Sequence, residues 1–205
     1  MNFNKFNRLG RFIWFGAVLG LMAAGSASAK SAQEIDIEVN ATLEAFASQV
    51  KGGKEFLEKS KGVLVFPKVG KAGLVIGGAY GEGAMRIGGQ TVDYYSTAAA
   101  SIGLQIGVQT RSEIVVFLEQ GVLDKFRASK GWEAGVDGSI AVVQWGAGED
   151  LGTVEIKDPI VAFIFGNKGL MANLSLEGSK YTKLNRTATG ESASEAKADT
   201  EAETK

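Results

Sequence analysis

Residues 61–83 read KGVLVFPKVGKAGLVIGGAYGEG. Val63, Leu64, Val65, Phe66, Leu74, Val75 and Ile76 are the residue types that fill buried strands, yet glycine recurs through the stretch and on to Gly89. Glycine weakens a flat strand, and inside one it marks a bulge, a sharp bend or the close approach of another backbone or a ligand. A small closed sheet needs such bends in order to curve. The stretch therefore predicts strongly curved strands, with a smooth glycine face as the alternative place for a ligand.

Downstream, the pattern stays β-like. AMRIGGQTVDYY, residues 84–95, sets Gly88-Gly89 between two strand-like runs, the dipeptide of a tight hairpin whose central residues both need positive φ. SIGLQIGVQ, residues 101–109, alternates Ile102, Leu104, Ile106 and Val108 against small and polar residues. EIVVFLEQ (113–120) reads as a strand buried on both faces, and Val122, Leu123 and Phe126 as a short helix ending near Gly131. VDGSIAVVQW (136–145), IVAFIFG (160–166) and GLMANLSLEG (169–178) complete the β set. Pro67 and Pro159 are expected at strand ends, where a missing N–H does little harm.

Upstream, the periodicity is helical. Ser31 and Glu34 have capping-box spacing. Ile35, Val39, Leu43, Phe46 and Val50 then form one apolar stripe, which Gly52-Gly53 ends, and a second helix over about Lys54 to Ser60 offers Phe56 and Leu57 to the core. The fold class is α+β: N-terminal helices packed on a Gly-rich, mainly antiparallel sheet that is barrel-like or a sandwich.

Three segments follow from composition. Lys5, Arg8 and Arg11, the apolar run Phe12 to Gly25 and the small-residue site Ala27-Ser28-Ala29 predict a signal peptide over 1–29, cleaved after Ala29. The apolar run is shorter than the roughly 20 residues of a membrane-spanning helix. One domain is expected over 30–185, and a disordered polar tail over 186–205, since TATGESASEAKADTEAETK contains no large apolar residue. Export predicts a periplasmic or extracellular location, peripheral on a membrane.

Of the 22 basic residues, three lie in the predicted leader, so the remaining chain is acidic against 23 Asp and Glu, which argues against nucleic acid as a partner. The chain has no cysteine and no histidine. Disulfides, thiolate or histidine-ligated metal sites and Ser-His-Asp or Cys-His catalysis are thereby excluded. No catalytic, metal or cofactor residue is assigned. Gly77 to Gly83 fails the dinucleotide pattern at Arg86, and Gly70-Lys71 fails the phosphate-loop pattern at Ala72 and Val65. Glu82, Asp93, Glu113, Asp137, Glu149 and Asp150 leave a two-carboxylate hydrolase as one alternative, which requires two of them to face each other across a cleft.

SKGVLVFPKVGKAGLVIGGAYGEG, AAASIGLQIGVQ, GVLDKF and GLMANLSLEGS, in this order, resemble the SYLF domain over roughly Glu34 to Asn185. This is a lipid-binding module also found in actin-patch proteins of yeast and, beside SH3 or FYVE domains, in human proteins. The chain looks like an exported bacterial branch without those added domains. The resemblance implies non-enzymatic binding of anionic lipid, phosphoinositides in the eukaryotic members, through a basic surface near the N-terminal helices. Carried over, the site residues are Lys51, Lys54, Lys59, Lys61, Lys68 and Lys71. The bland reading makes Lys54–Glu58 and Glu55–Lys59 helix-surface ion pairs and the strand-flanking lysines guards of a sheet edge. The actin role is not carried over, because an exported protein would not ordinarily meet actin. An envelope structural or adaptor protein with a protein partner is the other alternative.

Overall fold

A computed structural model describes residues 30–73, 76–102, 109–143, 151, 156–166, 169–170 and 175–186. The predicted leader, Leu104, Ile106 and Val108 of the alternating strand, Glu149-Asp150, residues 171–174 and positions 187–205 lie outside the described residues.

Ser31 opens helix α1 (Ala32–Gln49) with the expected capping box: its hydroxyl accepts from the Glu34 backbone N–H, while the Glu34 carboxylate accepts from the Ser31 N–H. Ile35, Val39, Phe46 and Val50 are buried and Leu43 is half-buried, so the stripe read from the sequence is the packed face. Helix α2 (Gly53–Lys59) follows at once, and Gly52 between the two helices is left-handed at φ 77°.

The sheet is built from β1 (Gly62–Gly73), β2 (Ile76–Ile87), β3 (Gln90–Ile102), β4 (Gln109–Phe117), β5 (Trp132–Glu133), β6 (Ala141–Val142), β7 (Ile160–Gly166), β8 (Gly169–Leu170) and β9 (Lys180–Leu184), with helix α3 (Gln120–Ala128) after β4. Its order is β5-β9-β3-β2-β1-β4-β7-β6, with β8 also on β7. Every pairing is antiparallel except β6 with β7. The β2–β3 hairpin turns at Gly88 (φ 57°) and Gly89 (φ 81°), as the dipeptide predicts.

One continuous sheet, curled into a half-barrel, decides between the two architectures the sequence left open. β1 and β9 are separated by β2 and β3, a distance of roughly 14 Å in a flat sheet. Yet the Phe66 and Tyr181 rings lie with centroids 5.6 Å apart. The face that carries them is therefore the inside of the curl, where α3 closes the core with Leu123 and Phe126 against Tyr95, Phe117, Trp132 and Tyr181. Strand alternation sends the neighbouring residues outward. Val63, Val65, Ile114, Val116, Val161, Phe163 and Phe165 form the outer core under α1 and α2. Both faces are covered, which is why EIVVFLEQ and IVAFIFG read as unbroken apolar runs.

Pro67 is not at a strand end. It lies within β1 at a bulge: the register steps from Val65↔Ala84 to Lys68↔Glu82 on one side and from Phe66↔Glu113 to Val69↔Arg111 on the other. The bulge leaves position 67 unpaired toward both neighbours, so no ladder bond is lost to the missing N–H. This kink also explains the glycine opposite it. A Cβ on Gly83 would overlap the Val65 carbonyl oxygen, and one on Gly81 would come within 2.8 Å of the Lys68 carbonyl oxygen. Here glycine admits a close backbone.

Candidate functional site

Phe56 and Leu57 half-bury α2 on the outer core, with Phe56 edge-on to Phe163 at 5.7 Å. That anchoring turns Lys54 and Lys59 to solvent on a helix only about 10 Å long. Lys51, exposed in the preceding turn, accepts a hydrogen bond at its carbonyl from the Leu151 N–H. Lys61, exposed at the entry to β1, donates its backbone N–H to the Phe117 carbonyl at 2.8 Å. The ion pairs Lys54–Glu58 and Glu55–Lys59 do not form. Among the described residues Lys54, Lys59 and Lys61 have no acidic partner.

Lys68 and Lys71 stand apart from this group. Lys68 lies seven residues along β1 from Lys61, roughly 20 Å by strand rise. Lys71 is further still, in register with Ala79 and Gln109. Nor do these lysines guard a sheet edge, because β1 is flanked by β2 and β4. The six lysines thus divide into Lys51, Lys54, Lys59 and Lys61 around α2, and Lys68 and Lys71 beyond the bulge.

Lys68 stands at a groove. α1 runs across the strands: Asp36 accepts hydrogen bonds from Thr91 (2.7 Å) and Tyr94 (2.9 Å) on β3, whereas Phe46 packs on Phe163 of β7 at 4.8 Å. The short side chains Ala41, Thr42 and Ala45 leave a gap between the helix and the bulged strand, a cavity of about 360 Å³ that Pro67, Ser112 and Phe165 close from the sheet side. At its mouth the Glu38 carboxylate lies between the Lys30 and Lys68 ammonium groups, Lys68 at 2.9 Å. Burial opposes the charged form of Glu38, but the hydrogen bonds from Lys30 and Lys68 outweigh it and hold the carboxyl below its usual range. The Lys68 side chain stays 62% exposed.

The groove was not read from the sequence, where only the apolar stripe of α1 was singled out. The signal available was Glu38, Ala41, Thr42, Ala45 and Gln49, a second stripe at helical spacing whose side chains are mostly too small to fill a packing gap.

Of the carboxylates considered for hydrolysis, the four among the described residues, Glu82, Asp93, Glu113 and Asp137, each have their own partner. Glu82 pairs with Arg186 at 2.8 Å, which ties the first residue of the expected tail into the domain. Asp93 pairs with Arg127 and Lys183, and Asp137 accepts from the Glu133 N–H. Glu113 takes both Arg111 contacts on one oxygen, at 2.7 and 2.8 Å, inside the curl. Burial pushes the Glu113 carboxyl up, and Arg111 offsets this only in part. Burial likewise pushes the Tyr181 hydroxyl up, with the Glu113 charge adding to the effect. Among the described residues no three acidic groups are placed to hold a metal ion, and no helix is long and apolar enough to cross a membrane.

Residues 98–191, just under half of the chain, match the family Ysc84, described as Las17-binding protein actin regulator. The match runs from β3 through β9 and covers three of the four segments that carry the SYLF resemblance. No curated protein matches the chain.

Proposed function

With the chain as a member of the SYLF-domain family, we propose that it binds anionic lipid head groups at a membrane surface of the cell envelope after export, without catalysing a reaction. The observation that carries this reading is the α2 segment, where Lys54, Lys59 and Lys61 project into solvent and pair with no carboxylate among the described residues. Each lysine near an anionic bilayer contributes about 1 kcal/mol. Three together account for roughly a hundredfold in affinity, the scale of reversible peripheral association. Lys51, Lys68 and Lys71 complete the basic set that the resemblance implies.

Co-sedimentation with vesicles of phosphatidylglycerol, compared with phosphatidylcholine alone, tests the reading. The protein should pellet with the anionic vesicles, less so as salt rises, and a K54E/K59E/K61E variant with an unchanged circular dichroism spectrum should lose at least a hundredfold. Equal binding to neutral vesicles, or an unaffected triple variant, removes the electrostatic mechanism.

The family's description as a Las17-binding regulator supports a second reading, in which a protein partner docks on this domain. Crosslinking in envelope extracts would then yield a stoichiometric adduct.

A further inference from the structure

We propose that the groove between α1 and the bulge of β1 holds the single acyl chain of an anionic amphiphile, with its acid head group on Lys68. This rests on the lipid reading above, but it concerns a slot within the fold and not the α2 lysines that would meet a bilayer.

The chemistry of the walls selects hydrocarbon. Ala41, Ala45, Pro67 and Phe165 present apolar surface. The two hydroxyls in the lining are already spent on the main chain, Thr42 donating to the Glu38 carbonyl at 2.8 Å and Ser112 to the Pro67 carbonyl at 2.7 Å. An occupant therefore need not satisfy them, and a polar one would find few partners there. The volume of about 360 Å³ lies at the small end of ligand pockets. It suits one chain better than a two-chain phospholipid.

The mouth selects an anion. Two ammonium groups flank the Glu38 carboxylate, and with Glu34 also within reach of Lys30, Lys68 is the cation that stays exposed at the rim. An exposed pair such as Lys68–Glu38 is weak. Lys68 can turn to an incoming carboxylate or phosphate while Lys30 continues to neutralise Glu38. A head group at the rim and a tail along the α1 groove is the recurrent plan of small-molecule sites, apolar walls with a few placed polar groups.

Fluorescence of cis-parinaric acid titrated with the purified chain, run beside its methyl ester, tests the assignment. The acid should be taken up saturably at one per chain. Ala41 is exposed on a helix, so Ala41→Trp can fill the slot without disturbing the core, and it should reduce uptake at least tenfold. Ala45→Leu serves as a second obstruction if the first variant melts differently from the parent. Lys68→Gln should weaken the acid several-fold and leave the ester unchanged. Uptake of the acid by Ala41→Trp and Ala45→Leu at the parental level, or no saturable uptake by the parent, overturns the proposal. Vesicle sedimentation separates the two readings: slot variants that still pellet with anionic vesicles locate a fault in the slot alone, and K54E/K59E/K61E protein that still takes up the fatty acid locates a fault at the surface alone.

Discussion

Gly83 gives the sharpest test of how the sheet is shaped. Its added Cβ would overlap the Val65 carbonyl oxygen and lie 2.8 Å from both the Val65 carbonyl carbon and Phe66 Cδ1. Phe66 is fully buried against Tyr181, and the Val65 carbonyl belongs to the main chain at the start of the bulge, so neither can swing aside as an exposed side chain would. Overpacking a core costs about 1–3 kcal/mol, and a backbone clash that must move a strand belongs at the upper end. For a domain of this size, about 3 kcal/mol corresponds to a melting point lowered by roughly 6–12 °C. Gly70 provides the control, because a Cβ there meets nothing within 4 Å. Gly70→Ala should stabilise by about 0.5 kcal/mol through the unfolded chain. Thermal melts followed by far-ultraviolet circular dichroism, with urea midpoints as a second measure, compare the three proteins. If Gly83→Ala and Gly70→Ala melt within about 2 °C of each other, the claim that glycine is there to admit the β1 backbone is wrong.

Phe163 joins Phe46 of α1 and Phe56 of α2 to the sheet; Phe163→Ala should cost about 3–5 kcal/mol in urea unfolding and weaken vesicle binding only as far as it loosens α2. The acidic pH limb should separate two carboxylates with opposite signs. Glu38, held below its ordinary value of 4.5, contributes stability that is present above that pH and lost as pH falls through its folded value, so the gap between parent and Glu38→Gln should close on acidification. Glu113, pushed above 4.5, loses stability as pH rises from there through its folded value, so Glu113→Gln should gain on the parent over that interval; the reverse slope would mean that Arg111 outweighs burial. Glu38→Gln also releases Lys68 from its partner and should tighten sedimentation with anionic vesicles by about fivefold, the worth of one lysine near a bilayer.

Much of the secondary structure was legible because its causes are local. The capping box at Ser31 and Glu34, the stripe on α1, the Gly88-Gly89 hairpin and the apolar runs of β4 and β7 are set by neighbours within a turn or a strand, and each stands where the residues predicted. The lysines were legible as a basic segment, and so was the exposure of Lys54, Lys59 and Lys61. Pro67 was misjudged because a bulge in mid-strand is defined by two partner strands, neither of which can be aligned on the proline from the sequence alone. Residue types and their spacing by themselves determined that the chain makes helices followed by a bent sheet, and that thiol and imidazole chemistry is absent. Only the tertiary structure decided that the sheet is a single curl with two separate cores, that α1 crosses it to leave a groove, and that Glu38 meets Lys68 across 30 positions of sequence. Curvature and crossing arise from contacts between residues far apart in the chain, and no short window of sequence contains both partners.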